Sequence, residues 1–161
     1  MIVCYPHGVT LYFAYGSNMH RAAMMARCPG ARAIGPARLD GHAFFIGVEG
    51  WGSVRRAPGA VVHGVLWRLT LRDLAALHAY ELLHKKIYLV RYLPVRVGAR
   101  TALAMVYLLR RAVTGRPRPG YAEMCAAAAR SWDLPERHAR VIARWSISRW
   151  TGSRVIAQGE V

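Results

Sequence analysis

The chain carries only eight acidic side chains, few enough to weigh one by one as candidates for proton transfer. Asp73, Asp133 and Glu136 stand where helices are expected to begin. Asp40 precedes a glycine at an expected bend, Glu49 falls in a glycine-rich stretch, Glu123 opens a helix and Glu160 lies near the end of the chain. Glu81 has no such place. If Thr70–Leu83 is a helix, Leu71, Leu74, Leu77 and Leu82 share one apolar face and Glu81 falls within it. A carboxylate turned toward a core is costly unless it is paired or protonated. Burial would raise its pKa toward the range useful for a general acid or base. The same spacing also fits a structural glutamate paired with a nearby arginine.

The second candidate is Tyr12-Phe13-Ala14-Tyr15-Gly16-Ser17-Asn18. A β-branched and aromatic strand ends there in three residues that break it, and a helix is expected to follow. Consecutive backbone N–H groups at such a turn suit a carboxylate or an oxyanion. Gly16 allows close backbone approach, and Ser17 and Asn18 add polar groups. An ordinary strand-to-helix turn with a capping Ser or Asn has the same composition.

Other chemistries find little support. The seven histidines form no HExxH or HxH pair, and His78 and His84 read as residues of a helix face rather than metal ligands. Cys28 lies near the turn but has no recognisable base. There is no GxSxG elbow, phosphate-binding loop or dinucleotide fingerprint.

The elements that would position these residues can be read from periodicity. Val9–Tyr15 and Ala60–Leu69 read as strands, and Ala31–Gly47 as strands joined by bends at its glycines. Glu49–Gly59, rich in Gly and Arg, reads as a loop. Ile87–Val97 and Thr101–Arg110 alternate around Gly98-Ala99-Arg100 and read as a hairpin. Helices are expected over Met19–Arg27, Thr70–Leu83, Tyr121–Ser131 and Leu134–Trp145. Thr70 with Asp73, and Asp133 with Glu136, stand at capping-box spacing. Strands fill the middle of the chain and helices flank them. The expected class is α+β, with a small, mostly antiparallel barrel or strongly curved sheet.

At 161 residues and 54% hydrophobic, the chain suits one domain with one core, over about residues 10–145. The last dozen or so residues read as a tail or as an arm onto a second copy, which leaves a homodimer open. Three scattered cysteines, no CxxC and no secretory pattern at the start point to a reducing, cytoplasmic setting without disulfides. No apolar run is long enough to span a bilayer. The formal charge of +15 raises nucleic acid as a partner. Yet the excess is almost all arginine, scattered along the whole chain and without a recognition motif, so no specific nucleic-acid partner is expected.

Taken together, YFAYGSNM at Tyr12–Met19, Arg27-Cys28-Pro29-Gly30-Ala31 and Gly35-Pro36-Ala37-Arg38-Leu39-Asp40-Gly41 resemble the N-terminal pattern of the γ-glutamyl cyclotransferase-like family. Val62-His63-Gly64-Val65-Leu66-Trp67-Arg68-Leu69 resembles its next strand. Leu77-His78-Ala79-Tyr80-Glu81 resembles the segment that holds its catalytic glutamate, and Tyr88 the tyrosine that opens the strand after it. His78 and Leu82 replace the Asp and Gly usual around that glutamate. Tyr107 and Tyr121 resemble two tyrosines that line the family's site.

The resemblance implies Glu81 as acid and base, Tyr12–Asn18 with Tyr107 and Tyr121 as the substrate-binding wall, and no metal or organic cofactor. It implies a small γ-glutamyl substrate cyclised to 5-oxoproline. The YGSN form of the loop is closer to the branch acting on γ-glutamyl amino acids. Arg55 or Arg56 would be available to an anionic substrate, or would simply coat the surface. A non-catalytic module on the same fold, binding a small anion or a peptide, is the alternative.

Overall fold

The structure is a computed structural model and describes residues 9–81 and 86–146. Cys4, His84, the expected end of the helix at Leu82–Leu83 and the tail from residue 147 lie outside the described residues. The elements are β1 (Thr10–Ala14), α1 (Arg21–Arg27), β2 (Arg32–Ile46), β3 (Gly52–Leu69), α2 (Leu71–Tyr80), β4 (Tyr88–Val97), β5 (Arg100–Leu109), α3 (Tyr121–Ser131) and α4 (Glu136–Ala143). A single 3₁₀ turn, Ser17–Met19, separates β1 from α1.

The strands close into a barrel in the order β1-β3-β2-β4-β5. All neighbours are antiparallel except β5 and β1, which meet in parallel through Tyr12 and Met105. The expected α+β class with a small, mostly antiparallel barrel is what forms. Closure leaves no open edge to β1. Phe13, Leu39, Leu66, Trp67 and Met105 belong to the core and are nearly free of solvent; Leu66 and Trp67, adjacent on β3, face opposite sides of the sheet.

Ala31–Gly47 becomes one 15-residue strand. Register shifts at Ala33/Gly35 and Asp40/His42 bend it around the barrel. Gly41 takes φ +70 at the second shift, where a Cβ would be strained.

The expected loop at Glu49–Gly59 is largely strand. Only the stretch from Gly47 to Trp51 turns, closed by a hydrogen bond of 2.9 Å from Gly47 N–H to the Trp51 carbonyl. From Gly52 onward β3 pairs with β2, Ser53 facing Phe45, Arg55 facing Ala43 and Arg56 facing His42. The ladder overrides the poor strand propensity of this Gly- and Arg-rich sequence. Pro58 and Gly59 are accommodated where the pairing jumps from His42↔Arg56 to Asp40↔Val61.

Thr70 and Asp73 form the expected capping box at the start of α2. The pairing expected of Asp133 and Glu136 does not form: Pro135 precedes α4 without a side-chain cap. Asp133 takes φ +52 in the turn before it. Glu136 is instead held by Arg130 at 3.0 Å and Arg140 at 3.4 Å, whose charges outcompete a backbone N–H. Among the described residues no helix is long and apolar enough to cross a membrane.

Candidate active site

Three elements bring the candidate residues together. β1 ends at Ala14, and the chain turns through Gly16 into the 3₁₀ turn, where Met19 N–H donates to the Gly16 carbonyl at 3.0 Å. Trp132, at the end of α3, holds that turn from behind, its indole N–H donating to the Met19 carbonyl at 2.7 Å. At the other end of α3 the Tyr121 hydroxyl accepts from Gly52 N–H at 3.1 Å. A Cβ on Gly16 would lie 2.8 Å from the same hydroxyl, so glycine is the residue that lets turn and tyrosine approach. α2 is fastened at its start by Asp73, which serves Thr70 in the capping box and also accepts from Gly30 N–H at 3.0 Å. Burial would raise the Asp73 carboxyl, but the hydrogen bonds from Thr70 and Gly30 outweigh it and hold it below the usual carboxylate range. Leu77, fully buried, seats the helix on the barrel.

Glu81 is the first residue past α2, its N–H still donating to the Leu77 carbonyl at 2.9 Å. Its side chain shares one narrow pocket with Tyr12, Tyr15, Gly16, Ser17, Asn18, Gly52, Tyr88, Tyr107 and Tyr121. The cavity is about 30 Å³. Asn18, itself buried, donates from Nδ2 to Glu81 Oε1 at 2.6 Å and to the Tyr12 hydroxyl at 2.9 Å. Arg27, at the end of α1, donates to Asn18 Oδ1 at 2.6 Å.

Burial pushes the Glu81 carboxyl up to about 7, while the Asn18 hydrogen bond and the Arg27 charge pull it part of the way back. The carbonyl end of α2 disfavours the anion further. The phenols of Tyr12, Tyr15, Tyr88, Tyr107 and Tyr121 are all raised, first by burial. They therefore face the pocket as neutral hydroxyls. Tyr15 donates to the Tyr107 carbonyl. The Tyr107 hydroxyl meets His78 Nδ1 at 2.7 Å, and burial lowers the pKa of that imidazole.

Of the residues singled out in the sequence, Phe13 and Ala14 do not line the pocket. They are fully buried in the hydrophobic core. Tyr88 and Gly52 do line it. Tyr88 was marked only by the strand it opens, and Gly52 was hidden in the segment read as loop. A Cβ at Gly52 would meet the Phe44 ring at 2.8 Å, a close approach that only the folded chain reveals. Arg55 lies over the Phe45 ring and reaches Thr114 rather than the pocket. Cys28 is buried against α2, its thiol donating to the Asp73 carbonyl at 3.5 Å. Burial lifts that thiol to about 11, too high for a nucleophile at neutral pH.

The same stretch of chain finds relatives among known proteins. A family model described as gamma-glutamyl cyclotransferase, AIG2-like matches residues 12–133. The chain is 27% identical to the gamma-glutamylcyclotransferase of Mus musculus over 141 residues, which are 80% of this chain and 74% of that protein. It is 25% identical to the gamma-glutamylcyclotransferase of Homo sapiens over 155 residues, 88% of this chain and 81% of that one. A solved structure of a gamma-glutamyl cyclotransferase superposes with a TM-score of 0.79 over 95% of this chain and 93% of that one. At 22% identity, that last likeness speaks for the fold alone. The family match runs from the first pocket residue of β1, through Glu81 and the three later pocket tyrosines, to the turn before α4, and with it the chain belongs to the gamma-glutamyl cyclotransferase, AIG2-like family.

Proposed function

We propose that the protein is a γ-glutamyl cyclotransferase in which Glu81 carries the proton and the Tyr12–Asn18 segment holds the substrate. The observation that carries this reading is the Glu81 carboxyl, lifted to about 7 by its burial and held by Asn18, in the same pocket as a glycine turn and a ring of neutral phenols. The substrate is a γ-glutamyl amide. Its α-nitrogen attacks its own γ-carbonyl carbon, a C–N bond closes the five-membered ring, and the amide C–N bond breaks. The products are 5-oxoproline and a free amine.

The α-ammonium must first lose a proton, since it has no lone pair to attack with. The departing nitrogen must gain one, since an amide anion is a very poor leaving group. Glu81 as carboxylate takes the first proton and as acid delivers it to the departing nitrogen. Ring closure leaves two protons on the ring nitrogen; one follows the same route and the other stays as the lactam N–H, so the amine leaves as an ammonium. With its pKa near 7, the carboxyl is present in both forms at neutral pH, as efficient transfer in both directions requires.

The negative charge that develops on the former carbonyl oxygen needs donors, and so does the substrate carboxylate. The N–H groups of Ser17 and Asn18 donate to no group among the described residues, and both residues line the pocket with the phenols. Losing one donor of this kind typically costs about 3 kcal/mol in the transition state. A wall that folds the glutamyl chain so that nitrogen and carbon approach within about 3–3.5 Å removes much of the entropic barrier to ring closure.

The test is release of 5-oxoproline from a panel of γ-glutamyl amino acids, γ-glutamylamines and glutathione. The native protein is expected to turn over at least one of them, with γ-glutamyl amino acids preferred. Glu81→Gln is expected to keep the fold and to lose turnover by about 100-fold or more. Undiminished turnover by Glu81→Gln would remove Glu81 from the reaction. Tight binding of these compounds without turnover by the native protein would make this a binding module on the same fold.

A further inference from the structure

The Arg27–Asn18–Glu81 chain of hydrogen bonds fixes more than a position. An Asn side chain can be placed either way round, so its orientation must follow from its partners. Here the partners leave no choice. Arg27 has five N–H donors and no acceptor, so the atom of Asn18 that faces it at 2.6 Å must be the carbonyl Oδ1. Nδ2 then has to face Glu81 Oε1 and the Tyr12 hydroxyl, and its two hydrogens serve one each. The Arg27 guanidinium is itself held, 3.7 Å above the Tyr80 ring on α2. The whole chain thus runs between α1 and the end of α2.

Two consequences follow from this orientation. The Asn18 hydrogen bond occupies one lone pair of Glu81 Oε1 and stabilises negative charge on that oxygen, so protonation falls preferentially on the other. Oε2 has no partner among the described residues. The Tyr12 oxygen likewise accepts from Asn18 and donates to no group among the described residues, so its own proton is free for a ligand.

We propose that Arg27 and Asn18 are positioning residues that reserve Glu81 Oε1 as a fixed acceptor. This makes Oε2 the atom that takes and returns the proton, and aims the Tyr12 hydroxyl into the pocket as a donor. The proposal rests on Glu81 being the proton carrier. It adds which oxygen works and which residues, one of them outside the pocket lining, make it so. The charged and titratable groups that bear on Glu81 are Arg27 from α1, Tyr12 and Tyr15 from β1, Tyr88 from β4, and Tyr107 with its partner His78. All except Arg27 are phenols raised by burial or an imidazole lowered by it. The Asn18 hydrogen bond and, after it, the Arg27 charge therefore hold the carboxyl down near neutrality.

The experiment compares the full-length protein with Arg27→Met, Arg27→Lys and Asn18→Ala. Two readouts are taken: the titration of the Glu81 carboxyl by carbon NMR, and steady-state release of 5-oxoproline. In Arg27→Met and Asn18→Ala the Glu81 midpoint is expected to rise, and kcat to fall about 10- to 100-fold, the size of a lost charge-assisted hydrogen bond. KM is expected to change less than about threefold. Arg27→Lys is expected to restore most of both. If Arg27→Met and Asn18→Ala fold and leave the midpoint and kcat where they were, the relay is overturned.

The native protein supplies a check that needs no variant. The Asn18 side-chain amide protons should be resolved and slow to exchange with water, and rapid exchange would equally end the proposal. The NMR readouts do not depend on turnover. A shifted midpoint in a protein that releases no 5-oxoproline would keep the relay and discard the cyclotransferase reading. Turnover with an unmoved midpoint would do the reverse.

Discussion

Glu81 has to be a base in one half of the proposed cycle and an acid in the other, and its surroundings set the pH at which it can be both. Burial lifts its carboxyl from 4.5 to about 7. Below that value the base is progressively protonated, so kcat/KM for 5-oxoproline release should fall about tenfold per pH unit on the acid side. The same shift acts on stability. Between pH 4.5 and 7 the folded protein holds a proton on Glu81 that the unfolded chain has released. The stabilisation is therefore complete below about pH 4.5 and is lost as the pH rises through 7. Its full size is at most about 3 kcal/mol. Buried His138, whose pKa burial lowers to about 4, adds stability over the same interval in the native protein and in Glu81→Gln alike. The Glu81 contribution is therefore the difference between the two in urea unfolding at pH 5 and pH 8, the native protein faring worse at pH 8 relative to pH 5 than the variant, which cannot ionise. An equal change in both would place its origin elsewhere in the molecule.

At the scale of the elements, α2 matters because whatever fixes its start also fixes Glu81 ten residues further on. Asp73 does this twice, in the capping box and in its bond to Gly30. Asp73→Ala should therefore cost about 2–3 kcal/mol and Thr70→Ala about 1 kcal/mol, read as the difference in unfolding free energy. Equal losses would mean that the bond to Gly30 contributes nothing. The capping box was legible in the sequence because it is local: two residues at a set spacing before an apolar run. The hairpin of β4 and β5 was legible for the same reason. The start of β3 was not, because Gly52–Gly59 becomes strand through its pairing with β2, and no local preference announces that. The mistaken cap at Asp133 has a similar cause. The spacing was right, but Arg130 and Arg140 claim Glu136, and that competition depends on where the preceding helix ends. In the pocket, Tyr12, Tyr15–Asn18 and Glu81 stood out by residue type. Gly52, the bond between Tyr107 and His78, and the hold of Arg27 on Asn18 join parts of the chain through the closed barrel and the docked helices, so they became visible only with the fold.

For the molecule as a whole, the 23 basic against 8 acidic side chains set a field that no single element explains. The arginines are spread over strands, helices and turns, among them Arg21, Arg55, Arg68, Arg91, Arg110 and Arg137. Several already have partners within the protein: Arg21 lies over Trp132, Arg118 over Trp51, and Arg38 and Arg96 flank Asp40. A surface that is basic all round attracts phosphate backbones by releasing counterions, with no preference for sequence, and salt weakens that attraction steeply. The protein should therefore bind mixed-sequence DNA at about 50 mM salt and lose 100-fold or more of that affinity by about 200 mM. Titration of a labelled duplex at the two concentrations tests this. Nanomolar binding that survives the higher salt and discriminates between sequences would make nucleic acid a true partner. The same field acts on a small substrate. A γ-glutamyl compound carrying a second carboxylate should be captured faster than a neutral-tailed one at low salt, and the advantage should shrink as ionic strength rises. Its kcat/KM measured at both salt concentrations would show whether the charge serves the pocket or only surrounds it.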